Sequence, residues 1–403
     1  MRRLSLLALL LAVACSGSSG GSSASPASAS PAPTSPTSAT ASPVAVEDDR
    51  LLVVRDDGNL VTLDPTGGQV LPLSTDAGPG VVIDQPVASP DGRSLAWVEL
   101  RADGPRVVTT SRAGGNRREI PLTVAPFFLA WDPTSMRIAY LGNAGTGIGL
   151  GVIDDAVVQP RDVPVGGGTP LYLAWSPDGR QLLVHVGSDG LGRTDLTHPL
   201  QPIRDTPGTF QAPAWLPDGR ELYVARQGPQ EALVVLDQGA RTVLRRFRGG
   251  ALFEPSPDGA RVAYRLHTAD GTERGVYVQG LHGGPATRVT DEATMAFFWS
   301  PDGDRLLLLT GDPNGGPFRW RVWQGRERFV GDPFVPSATM LRDYLPFFDQ
   351  YAQTITPWAP DGTAFAYAGL HGDASGIWIQ PLAGKRRLIG DGGFVTWTPA
   401  PAG

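Results

Sequence analysis

A single cysteine, Cys15, in 403 residues excludes any disulfide within the chain. Lysine is nearly missing as well: Lys385 is the one lysine among 34 basic residues, which fits an arginine-biased codon pool better than an arginine recognition surface. Positive charge is in deficit, with a net charge of −6, and this argues against nucleic acid as a partner. Beyond the first 13 residues no stretch of 18 apolar residues occurs, so no membrane-spanning helix is expected. Residues 47–403 hold no Gly-x-Ser-x-Gly elbow, which removes the usual signature of a serine hydrolase. The histidines (His185, His198, His267, His282 and His371) are scattered without metal-ligand spacing, and they read as solvated loop residues. No metal or cofactor is expected.

What is present begins with "MRRLSLLALLLAVAC". Two arginines and an apolar run from Leu4 to Val13 have the form of a signal peptide, too short for a mature membrane helix. Small residues directly before Cys15 resemble a bacterial lipoprotein signal, which implies removal of residues 1–14, lipid on Cys15 and an extracytoplasmic, membrane-anchored protein. An ordinary cleaved signal with an incidental cysteine is the alternative. Residues 15–46 follow, after Cys15 almost wholly Ser, Ala, Pro, Thr and Gly without charge, a composition that cannot bury enough apolar surface to fold. As a coil of about thirty residues this tether would span roughly 30 Å.

The rest of the chain is periodic. "ASPDGRSLAW" at Pro90 returns as "WDPTSMRIAY" at Pro133, "WSPDGRQLLV" at Pro177 and "WLPDGRELYV" at Pro217. It continues with "PSPDGARVAY" at Pro257, "WSPDGDRLLL" at Pro301, "WAPDGTAFAY" at Pro360 and a truncated "WTPAPAG" at Pro399. The spacings are 43, 44, 40, 40, 44, 59 and 39 residues, the period of propeller blades. Aromatic and β-branched residues before the proline and after the glycine read as strands, and two more β segments follow in most copies. Each unit therefore predicts four strands, A to D from the inside out, with Ser-Pro-Asp-Gly as a type I turn joining A to B. Six of the ten tryptophans share one position, just before the turn: Trp131, Trp175, Trp215, Trp299, Trp358 and Trp397. Packing between blades explains a large aromatic repeated there.

This phrase resembles the TolB-type, WD-like β-propeller repeat over residues 47–403, and the resemblance implies an all-β propeller with envelope-associated binding work. Residues 51–73 supply strands B to D without A, and 393–398 supply an A alone. Their pairing predicts eight four-stranded blades closed by the two ends of the chain, or seven if the irregular unit at Pro177 fails to form. The chain as given leaves no room for a hydrolase domain after Trp397.

Binding sites in such propellers are expected on the face of the B–C and D–A connections. The 59-residue interval places an insertion, about 332–355, in a D–A connection on that face. Ser337 to Leu345 reads as a helix capped by Ser337 and ended by Pro346. Asp343, Tyr344, Phe347, Phe348, Asp349, Gln350 and Tyr351 then form either a docking ridge or lid, or a structural plug. At the starts of the A strands, Asp84, Gln85, Tyr172, Gln211 and Glu254 are placed at the funnel mouth. The Gly-rich loops 267–273 and 311–316 lack the ligand density of a calcium site. A monomeric, non-catalytic module for an envelope protein, peptide or glycan is expected; a metal-dependent hydrolase or lyase with its site in the funnel is the alternative.

Overall fold

In the computed structural model the described residues are 48–401, apart from 146, 155–158, 167, 209–210, 268–274, 312–315, 349–350 and 352–353, with only the backbone of Phe347. Cys15, the signal segment and the tether lie outside them, as do most of the two Gly-rich loops. No helix among the described residues is long and apolar enough to cross a membrane.

Eight four-stranded antiparallel sheets make up an eight-bladed β-propeller. The unit at Pro177 forms all four strands (171–175, 182–186, 190–194 and 201–202), so the seven-blade alternative falls away. The first blade is a composite: Arg50–Val54 pairs with Phe394–Thr398 in antiparallel register, Leu51 opposite Trp397. An arginine of the second blade ties both chain ends to this seam. Arg112 donates to Asp48 O at 2.7 Å, Gly92 O at 3.0 Å and the carbonyl of Pro399.

The repeated turn is local chemistry. In the Pro177 unit Ser176 Oγ donates to Asp178 Oδ1 at 2.7 Å, and the same carboxylate accepts from Arg180 N at 3.1 Å. Gly179 donates back to Ser176 O at 2.8 Å with φ +68°, a left-handed conformation natural to glycine. The Pro133 unit exchanges the roles. Asp132 stands at the serine position and accepts from Met136 N and Arg137 N, while Ser135 takes φ +62° in place of glycine. One carboxylate near the turn is therefore enough, wherever it sits.

Three of the six tryptophans bridge blades by a repeated bond. Trp175 Nε1 donates to Ala130 O, Trp299 to Glu254 O and Trp358 to Phe298 O, at 3.0–3.1 Å. Each acceptor is the inner-strand residue just before the equivalent position of the preceding blade. An arginine from that preceding blade covers the ring: Arg137 over Trp175, Arg261 over Trp299 and Arg305 over Trp358, at 5.2–5.9 Å.

Candidate functional site

The insertion is not in a D–A connection, as its spacing suggested. The innermost strand of the last blade starts at Val335–Pro336, opposite Leu370 and Gly369, and resumes only at Trp358, which bridges Phe365. Residues 337–356 are thus an excursion out of the middle of an inner strand, and an inner strand borders the channel. The strand can be split because its outer neighbour, Ala364–His371, is continuous and holds both halves in register.

Ser337 caps the excursion as expected, accepting from Met340 N at 3.1 Å. Pro346 does not end the helix, which runs on to Phe348. The reason is a π turn over Met340–Tyr344, in which Leu345 N–H reaches Met340 O. That wider turn relaxes the clash between a proline ring and the preceding carbonyl ladder.

The aromatics of the insertion pack inward. Tyr344 stacks on Phe394 at 3.7 Å between centroids, Phe348 packs on Phe297 and Phe298, and Tyr351 lies against Phe128 and Tyr172 at 5.0 and 5.2 Å. All three are buried, with Leu345 beside them. The cavity left under this plug is about 40 Å³. Of the two structural roles set out for these residues, Tyr344, Phe348 and Tyr351 take the plug. Asp349 and Gln350 lie outside the described residues, and the side chain of Phe347 does too. Among the described residues of the insertion Ala338, Leu341, Arg342 and Pro346 are exposed and Asp343 is half-buried, with Arg342 and Asp343 joined by a bidentate ion pair at 2.7 and 2.9 Å.

The five funnel-mouth positions do not converge, because the plug divides them. Asp84 lies near Asp343 and Arg342; burial first, and then Asp343, raises its carboxyl above the usual range, against a hydrogen bond from Gln85 N. Gln85 is buried at the plugged cavity in a left-handed conformation (φ +51°) at a bulge in its strand. Tyr172 is covered by Tyr351, and burial raises its hydroxyl well above the usual range. Gln211 and Glu254 line a cavity on the other side of the plug.

That other side is a vestibule at the Ser-Pro-Asp-Gly end of the channel, which repeat spacing did not single out. Two half-open cavities, of about 240 and 290 Å³, share Trp131 and Thr354. Trp175, Trp215, Pro255 and Glu254 border the first; Trp397, Pro90 and Pro399 border the second. Water reaches part of Glu254, but protein surrounds its carboxyl, and burial alone pushes it up to about 8. In the sequence the signal for this vestibule is the tryptophan position itself.

Histidine placement also departs from expectation. His185 and His371 are buried, not loop residues: His185 lies between Gln211 O and Gly187 O, and His371 accepts or donates at 2.7 Å with Tyr367 Oη. Burial lowers both below the usual imidazole range. Among the described residues no three His, Cys, Asp or Glu side chains group as a metal site.

No family model matches this chain, and no curated protein matches its sequence. Solved structures do match its fold. A eukaryotic initiation factor is similar at 12% identity over 88% of this chain and 100% of that one, with a TM-score of 0.57. The β-propeller domain of the Trilobed protease from Pyrococcus furiosus, described as having an open velcro topology, gives 13% identity, 77% and 98% coverage and a TM-score of 0.50. TolB from Acinetobacter baumannii gives 16% identity and a TM-score of 0.41, over 71% of this chain and 63% of that one. At these identities the likeness is one of fold: an eight-bladed β-propeller, here closed by its N- and C-terminal strands.

Proposed function

We propose that this protein is a non-catalytic binding module, held outside the cytoplasm by lipid on Cys15, that docks an envelope protein, peptide or glycan on the rim of its propeller. The observation that carries this reading is the plug. With Tyr344, Leu345, Phe348 and Tyr351 filling the channel on the insertion side, the rigid rim on that side is what a partner would meet. Leu341, Arg342 and Asp343 are the part of the insertion that a partner meets.

Deleting the insertion would empty the core, so surface variants test the reading better. Arg342→Ala with Leu341→Ser leaves the buried aromatics in place. Captured envelope ligands should be lost from this variant at unchanged melting temperature; an unchanged set would remove the insertion from the docking surface. The metal-dependent hydrolase or lyase is the competing reading. It requires stoichiometric metal in purified protein, measured by elemental analysis, with ligands drawn from beyond the described residues.

A further inference from the structure

We propose that the first vestibule cavity is a site for a primary ammonium group on an alkyl stem, from a small amine or a lysine side chain, with the carboxylate of Glu254 as its counter-ion. The cavity lies across the plug from Leu341–Asp343, so the site is separate from the rim surface.

Glu254 stands on Gly250–Pro255, the innermost strand of its blade, with Arg261–His267 paired along one edge and the channel along the other. Its backbone carbonyl accepts from Trp299 Nε1, but its carboxyl has no hydrogen-bond or ion-pair partner among the described residues. Protein surrounds most of that carboxyl, yet neither oxygen is sealed from water, unlike the buried Nε1 atoms of Trp131, Trp215 and Trp397. The oxygens therefore open toward the channel, at the cavity of about 240 Å³ that Glu254 borders. Acids buried in other blades are partnered. Glu99 accepts from Trp97 Nε1 at 2.9 Å and from Arg117 at 2.7 Å, and Glu221 holds Arg193 at 2.6 Å. An acid in a water-poor recess without such a partner either stays protonated or takes a cation.

Charged side chains on the surrounding elements do not supply that cation. Arg261 donates to Gly303 O at 2.5 Å, Arg265 to the carbonyl of Thr294 and Arg220 to Asp218 at 2.7 Å, while Arg137 faces Asp132 at 3.6 Å. Asp258, in the turn after this strand, accepts from Ala260 N at 3.1 Å. His185 lies against Gln211 O and is kept neutral by burial, and burial pushes the Tyr351 hydroxyl up to about 12. Burial alone acts on Glu254, so no fixed charge competes for its carboxylate. The walls suit an alkyl stem: Ala174, Ala212, Pro213, Ala214 and Pro255 all border the cavity. Drug-sized ligands fill about 300–1,000 Å³, so this space takes something smaller, a single side chain or a small amine. A guanidinium would bring five donors to one carboxyl; an ammonium brings three and leaves fewer unmet.

The test is isothermal titration calorimetry of the full chain with n-butylamine and with the peptide acetyl-Gly-Lys-Gly-amide, in phosphate and in MOPS buffer at pH 7. At least one of the two should bind, and the tighter one tells a small amine from a lysine side chain as the source. Comparison of the buffers should show release of about one proton per ligand, because the ammonium ionises a carboxyl that is otherwise protonated. Affinity should rise by up to about tenfold per unit from pH 6 to pH 8. Glu254→Gln, which keeps the shape, should weaken binding at least tenfold and abolish the proton release. The proposal fails if neither ligand binds, if binding releases no proton, or if a folded Glu254→Gln variant binds as the parent does. It fails equally if butylguanidine, n-butanol or butyrate binds as tightly as the better amine. Proton release is read on the parent protein and decides the matter even where the variant folds poorly. None of these failures touches the rim reading, which rests on other residues.

Discussion

Glu254 offers the sharpest test of the channel's interior. Its carboxyl has an ordinary value of 4.5 and is raised to about 8 by burial alone. Between those values the folded protein holds a proton that the unfolded chain has released. Stability therefore falls as pH rises through the window, at up to about 1.4 kcal/mol per pH unit. The span from 4.5 to 8 is about 3.5 units, giving a ceiling of about 5 kcal/mol; water in the half-open cavity screens part of it, so about 2–3 kcal/mol is expected. Glu254→Gln keeps the shape and removes the titration. Urea unfolding from pH 5 to pH 9 should show the variant losing less stability than the parent, with the difference developing mainly between pH 5 and 8. His185 and His371 act in the opposite direction, because both are neutral when folded and cost stability as pH falls through their unfolded value. They are common to both proteins and cancel in the comparison. Parallel pH curves for parent and variant would refute the claim that Glu254 sits protonated in the vestibule.

Other outcomes follow from the same contacts. Trp358→Phe loses an inter-blade hydrogen bond that Trp397→Phe does not, so in urea melts it should cost about 1 kcal/mol more. Gly179→Ala forces a side chain onto φ +68° with its Cβ 2.6 Å from Asp132 Oδ2, and should destabilise by about 1–3 kcal/mol. Asp178→Ala should cost about 0.5–2 kcal/mol, read from the melting temperature, without altering ligand capture, because this carboxylate serves only its turn. Removing residues 393–403 uncovers the Arg50–Val54 edge and should produce concentration-dependent aggregation in light scattering; a monomeric, fully cooperative truncation would refute closure by terminal pairing.

Much of the architecture was legible because a propeller repeats its local chemistry. A run of apolar and aromatic residues, a Ser-Pro-Asp-Gly turn and a flanking Trp each depend on neighbours within a few residues, so eight copies count eight blades. The complementary fragments at 51–73 and 393–398 announced their pairing by what each lacked. Even the exception at Thr134–Ser135 is intelligible locally, since Asp132 supplies the carboxylate two residues earlier.

The site was another matter, because it depends on which residues meet across the ring. Spacing located the insertion in the chain but placed it between blades; only the pairing of Val335–Pro336 with Leu370 and Gly369 showed an inner strand split in two. Composition alone left Tyr344, Phe348 and Tyr351 as either ridge or plug, and inner strands from distant blades decided for the plug. Six tryptophans that look alike in sequence differ in whether a carbonyl of the blade before lies within reach. Local sequence thus determined the turns, the blades and their number. Tertiary structure alone decided where the channel closes and which indole donors remain unmet, since both depend on contacts between blades some forty residues or more apart.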